Sequence, residues 1–169
     1  MATYRRALIP GGTYFFTVVT CRRQPLLAKE SNITALGRAF RRVRHARPFT
    51  LDAFVILPDH LHCLWTLPEG DADYSSRWRD IKKTATREFL LAEGSDGAWQ
   101  RGFWEHVIRD DHDWQRHMDY IHFNPVKHGY VAAPSQWRWS SFKACVKKGW
   151  YEEDWSTQQP PAVADMNWE

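Results

Sequence analysis

The clearest pattern along the chain is the alternation over Pro58–Leu67. Leu61, Cys63, Trp65 and Leu67 fall on one side of a strand, and His60, His62 and Leu64 on the other. A second strand is predicted at Thr13–Thr20, which is rich in β-branched and aromatic residues and follows a Pro10-Gly11-Gly12 turn. Phe49–Leu57 is apolar on both faces, which predicts a central strand, and Gly102–Ile108 reads as a fourth. Helical spacing appears three times. A helix capped by Ser31 or Asn32 runs to about Ala46 with Leu36, Phe40 and Val43 as its stripe. A second, capped by Ser75 or Ser76, runs to about Ala92 before Gly94 and buries Trp78, Ile81, Ala85 and Phe89. A third runs from about Asp113 to about Asn124 with Trp114, Met118 and Ile121 inward. Strand, helix, strand, strand, helix, strand is the split βαβ order, so the expected fold is α+β, a ferredoxin-like sandwich with one further helix. The first two helices should cover one sheet face. The histidine pair then looks to the other face, where the third helix can meet it.

Length and composition fit one domain. The chain has 169 residues, with 43% hydrophobic and 25% charged content, enough for a real core. Ten Trp and 15% aromatic residues are many, so some rings are expected to pack and some to stack on bases. Cys21, Cys63 and Cys145 are odd in number and widely spaced, which argues for a reducing compartment and against a disulfide framework. No run of apolar residues is long enough to span a bilayer, and the first ten residues do not read as a secretion signal. The expected location is the cytoplasm, with the nucleoid.

Charge divides the chain in two. Residues 150–169 hold five of the 20 acidic groups and none of the 23 basic ones, leaving residues 1–149 at net +8. A basic body of residues 1–149 with an acidic tail at 150–169, expected to be extended and partly disordered, suggests a polyanionic partner for the body. Arg5, Arg6, Arg22 and Arg23 around the first strand, and Lys82 and Lys83 on the second helix, are the candidate phosphate contacts.

The histidine strand brings chemistry. His60 and His62 stand about 6–7 Å apart at Cα, close enough to converge on one metal ion. On the third helix His117, Tyr120 and Asn124 share a face, and Tyr120 is one turn, about 6 Å, from Asn124. Two imidazoles, a carboxamide oxygen and a phenol form a mixed nitrogen–oxygen site with open positions, suited to Mg²⁺ or Mn²⁺ rather than to a closed structural zinc. A phenol beside a metal-bound phosphodiester could attack phosphorus and exchange one phosphodiester for another without ATP. His117 or Lys127 could assist proton transfer. The competing reading is a non-catalytic single-stranded nucleic-acid-binding module in which the histidines and Tyr120 pack or stack.

The ordered set of motifs resembles a known family. His60-Leu61-His62 on a strand, then Tyr120 and Asn124 on a later helix, is similar to the single-tyrosine HUH transposases. The flanking segments resemble their REP-associated branch: Tyr4-Arg5-Arg6, Gly12–Val18, Pro58–His62, Trp104-Glu105, Tyr120–Gly129 and Trp137–Ser141. The resemblance implies a ferredoxin-like nuclease with a C-terminal catalytic helix. It implies cutting and joining of single-stranded DNA at hairpin-forming repeated extragenic palindromes through a 5′-phosphotyrosine intermediate with Mg²⁺ or Mn²⁺. By motif match, Tyr120 is the nucleophile and His60, His62 and Asn124 are the metal ligands. The wider family includes dimers; the REP-associated branch implies a monomer.

Overall fold

The alternation in the first and third strands sets up two cores, one on each side of a sheet. The computed structural model describes residues 5–89, 91, 94–155, 160 and 163–168; Tyr4, Gln158, Gln159 and Pro161 of the sequence reading lie outside them. The elements run β1 Thr13–Val19, α1 Glu30–Ala46, β2 Thr50–Ile56, β3 His60–Thr66, α2 Tyr74–Glu88, β4 Trp104–Val107, α3 Asp111–Lys127 and α4 Phe142–Lys147. The sheet order is β2-β3-β1-β4 and every pairing is antiparallel, which is the ferredoxin-like arrangement. No described helix is long and apolar enough to cross a membrane.

Tyr14, Phe16 and Val18 of β1 and Leu61, Cys63 and Trp65 of β3 pack under α1 and α2. Two of the ten Trp sit at the centre of this layer: Trp65 stacks on Trp78 at 4.5 Å and on Phe49 at 4.2 Å. The opposite face holds Phe15, Val55 and Leu64 against Met118, Ile121 and Phe123 of α3, Phe142 of α4, and Tyr151, Val163 and Met166 from the C-terminal region. Residues 150–169 therefore do not hang free where they are described.

Several local expectations change. β2 is an edge strand, not a central one. Its outer edge is covered by the chain at 139–141: Ile56 N–H donates to Trp139 O at 2.8 Å and Ser141 N–H to Phe54 O at 2.9 Å. Both faces of β2 are apolar because both are covered by helices, a property independent of position in the sheet. Neither Ser31 nor Asn32 caps α1, which begins at Glu30 after Lys29; Asn32 is buried and its amide donates to Leu26 O at 2.8 Å. The α2 cap is Asp73, whose side chain accepts from Ser76 N–H, and the helix ends at Glu88 where Phe89 turns extended. α3 starts one residue beyond its cap Asp110 and continues through Pro125 to Lys127. Pro125 removes one hydrogen bond, to the Ile121 carbonyl. The next turn is nevertheless closed by His128 N–H to Asn124 O at 3.0 Å and Gly129 N–H to Val126 O at 2.9 Å, with Gly129 at φ 74°. Tyr120, Asn124 and His128 therefore stand one above another on a continuous helix.

Candidate active site

β3 presents His60 and His62 to α3 because even positions of this strand face away from α1 and α2. Both side chains are buried, and their rings meet edge to face at 4.9 Å. Tyr120 meets His62 at 5.2 Å between ring centroids, and His128, two turns along α3, meets His60 at 5.4 Å. Asn124, fully buried, lies on the turn between them. The structure thus brings together His60, His62, Tyr120 and Asn124. It adds His128, whose part in the cluster depends on the helix surviving Pro125 and was not read from sequence.

The hydrogen bonds fix which imidazole nitrogen is presented. His60 Nδ1–H donates to Asp59 Oδ1 at 2.6 Å. Asp59 Oδ2 in turn accepts from Arg23 at 3.0 Å. Burial pushes the Asp59 carboxyl up, but the bonds from His60 and Arg23 outweigh it, so the group is held below the usual carboxylate range. Arg22 and Arg23 both take left-handed backbone at φ 52°, an uncommon conformation for non-glycine residues, in the turn that carries Arg23 to Asp59. For His62 the partner is Thr17 Oγ1 at 2.8 Å. Thr17 spends its single hydroxyl proton on Trp168 O at 3.0 Å, so it must accept from His62 Nδ1–H. Both rings therefore carry the Nδ1–H tautomer and present the Nε2 lone pair, and both Nε2 atoms are buried. Buried Asn124 Oδ1 lies on the same facing turn. Two imidazole Nε2 atoms backed by a carboxylate and a hydroxyl, with one carboxamide oxygen, fit a divalent cation with open positions.

The phenol has two further neighbours. Lys127 Nζ lies 5.0 Å from the centre of the Tyr120 ring, and Trp168 N–H donates to Tyr120 Oη at 3.4 Å. Tyr120 is 1% exposed. The cover is the C-terminal segment: Trp168 packs on the Tyr120 ring, Lys127 donates to Met166 O at 3.4 Å, and Asp165 pairs with Arg116 at 3.1 Å.

His117 is on the expected face but does something different from simple exposure to the phenol. Its Nδ1–H donates to Asp113 O at 2.7 Å, and burial drives its pKa down to about 4, so the ring is neutral at pH 7. His106, Asp113 and His117 form a second group whose ligand atoms lie within 4.8 Å of one another. Asp113 accepts from His106 Nε2–H at 2.9 Å and from the Arg109 amide at 3.0 Å, which braces the corner between β4 and α3.

The candidate phosphate contacts divide. Arg5 and Lys83 are exposed. Arg22 is three-quarters exposed and pairs with Asp96. Arg6 instead pairs with the buried Glu105 and lies 4.0 Å over Phe103, and Lys82 donates to the carbonyls of Gln100 and Gly102. Burial, then Arg6, lowers the Lys82 ammonium to about 8. Arg6 and Lys82 therefore hold the segment leading into β4, and Arg23 holds the histidine edge. Sequence shows a basic residue but not the carboxylate or carbonyl that engages it from a distant segment.

No protein-family model matches the chain. It is 49% identical over 157 residues to a REP-associated tyrosine transposase of Escherichia coli (strain K12), covering 92% of each chain. A Haemophilus influenzae protein provisionally assigned to the same family is 41% identical over 165 residues, covering 92% of this chain and 93% of that one. A solved structure of a REP-associated tyrosine transposase bound to a REP hairpin superposes with a TM-score of 0.83 at 47% identity, covering 96% of each chain.

Proposed function

As this chain belongs to the REP-associated tyrosine transposase family, we propose that it nicks and rejoins single-stranded DNA beside hairpins of repeated extragenic palindromes, with Tyr120 as nucleophile. The observation that carries this reading is the meeting of the Tyr120 phenol with the His60–His62 pair, under the Lys127 ammonium.

The chemistry is an exchange of esters. Tyr120 Oη forms a bond to phosphorus as the bond from phosphorus to the 3′-oxygen breaks. The phenol proton is lost, and the departing 3′-oxygen gains one. The product is a 5′-phosphotyrosine and a free 3′-hydroxyl, and attack by a 3′-hydroxyl reverses the step. A phenol with an ordinary pKa near 10 is mostly protonated at pH 7. Lys127, with its charge over the ring, favours the phenolate, and we assign it this role in preference to His117. His60, His62 and Asn124 would hold the Mg²⁺ or Mn²⁺ ion, which supplies Lewis-acid charge at a non-bridging phosphate oxygen. Asp59 and Thr17 keep the two imidazoles in the ligating tautomer. This reading keeps the monomer that the resemblance to the REP-associated branch implies. A DNA substrate of this kind would put its site of action in the cytoplasm, with the nucleoid. The C-terminal segment must lift from Tyr120 before a phosphate can reach it. It lies over the site through Trp168, the Met166 carbonyl and the Asp165–Arg116 pair.

The test is a labelled hairpin oligonucleotide incubated with wild type or Tyr120→Phe, with Mn²⁺, Mg²⁺ or EDTA, on denaturing gels. A metal-dependent covalent band lost in Tyr120→Phe supports the reading. Cleavage that survives in Tyr120→Phe points to water as nucleophile, and binding without cleavage to a binding module.

A further inference from the structure

Four rings beside Tyr120 lie nearly parallel. Trp168 stacks on His117 at 4.4 Å with planes 9° apart, and on Trp104 at 5.6 Å with planes 24° apart; His106 stacks on His117 at 4.7 Å. Phe15 forms the floor, 5.3 Å from Trp168 and 4.9 Å from His117. The rings on β4 and α3 belong to the folded body, and the indole belongs to the C-terminal segment. A flat bicyclic ring of nucleobase dimensions therefore fills an aromatic slot, with its centre 5.3 Å from the centre of the Tyr120 ring.

We propose that this slot, walled by Trp104 and His117, binds the nucleobase adjoining the scissile phosphate, and that the Trp168 indole occupies the base position in the DNA-free protein. The inference rests on the DNA-cleaving reading above and adds a subsite to it. Four observations support it. Trp104 is 37% exposed on the outer strand of the sheet, edge-on to Phe15 and stacked on Trp168, so its ring offers a stacking face once Trp168 leaves. A cavity of about 510 Å³ opens beside it, lined by Thr17, Gln100, Arg101, Trp104, Asn167 and Trp168, so the slot continues into a groove with polar groups and a cation. Thr17, which donates to the Trp168 carbonyl, offers the same hydroxyl to a sugar or phosphate oxygen once that segment leaves. His117, neutral because it is buried, offers a flat uncharged face. Stacking of this kind tolerates any base.

The test uses a palindrome hairpin with single-stranded flanks, carrying 2-aminopurine at one flank position at a time, in EDTA so that nothing is cut. At one position the fluorescence should be quenched on binding, and Trp168→Ala should deepen the quench and tighten binding. Trp104→Ala should abolish it and weaken binding by roughly 5- to 50-fold, and Trp104→Phe should restore most of both. An abasic site at that position should cost wild type a similar factor and cost Trp104→Ala almost nothing. Equal affinity for intact and abasic strands at every position, or a quench indifferent to Trp104, overturns the slot. A covalent Tyr120 adduct formed with Mn²⁺ by the same proteins would then leave the cleavage reading standing. Its absence in wild type with intact stacking would sink that reading alone.

Discussion

Replacing Asp59 by Ala tests how the histidine edge is held. Asp59 takes the Nδ1–H of His60 at 2.6 Å, and its other oxygen is anchored by Arg23 at 3.0 Å. Without the carboxylate, the buried His60 ring loses the bond that sets its tautomer and its rotation. Losing such a partner costs about 10- to 100-fold in metal affinity, or about 1.4–2.7 kcal/mol. Arg23 is a weaker handle. Its side chain is 43% exposed, and an exposed ion pair contributes about 0–1 kcal/mol, so Arg23→Gln should shift affinity by no more than about 5-fold. The assay is Mn²⁺ binding followed by the free-ion signal in electron paramagnetic resonance, beside the Mn²⁺ concentration needed for half-maximal adduct. Both midpoints should rise together in Asp59→Ala, with the melting temperature little changed. Unaltered Mn²⁺ midpoints in Asp59→Ala would refute the argument that this carboxylate positions a ligand.

Other consequences follow from burial. His117 and His122 have folded-state pKa values lowered by burial to about 4 and about 3. The unfolded chain binds two more protons below about pH 6.5, so stability is full above that pH and is lost as pH falls toward 4, by up to about 2.7 kcal/mol per unit. Urea midpoints against pH should show this slope, and His122→Gln should roughly halve it. Arg77 is 2% exposed and donates to the carbonyls of Arg47, Asp73 and Pro48 and to Asp71, so Arg77→Met should destabilise by about 2–4 kcal/mol in chemical unfolding. Deleting residues 163–169 uncovers Tyr120, and adduct formation should become faster although the melting temperature falls with the loss of buried Val163 and Met166. Slower adduct formation by this truncation, with the fold intact, would contradict the account of the cover.

The strands were legible because period-two alternation is local. β1 and β3 each declare both faces, and the pairing of Thr17 with His62 follows from register once they are adjacent. The relation of Tyr120 to Asn124 was legible for the same reason, at helical period. What escaped sequence was long-range. The edge position of β2 depends on residues 139–141 returning to cover it. The diversion of Arg6 depends on Glu105, 99 residues away. Trp168 lies in a stretch with neither alternation nor helical spacing, so its stacking against β4 and α3 left no periodic trace. His128 required knowing that α3 tolerates Pro125, which local rules disfavour.

The most direct measurement of the central claim is mass spectrometry of the protein after incubation with a 5′-flanked palindrome hairpin and Mn²⁺. The account predicts a DNA fragment attached through phosphate to the peptide carrying Tyr120, absent with EDTA and absent in Tyr120→Phe. Cleaved DNA with no attached peptide, or attachment at another residue, would contradict it.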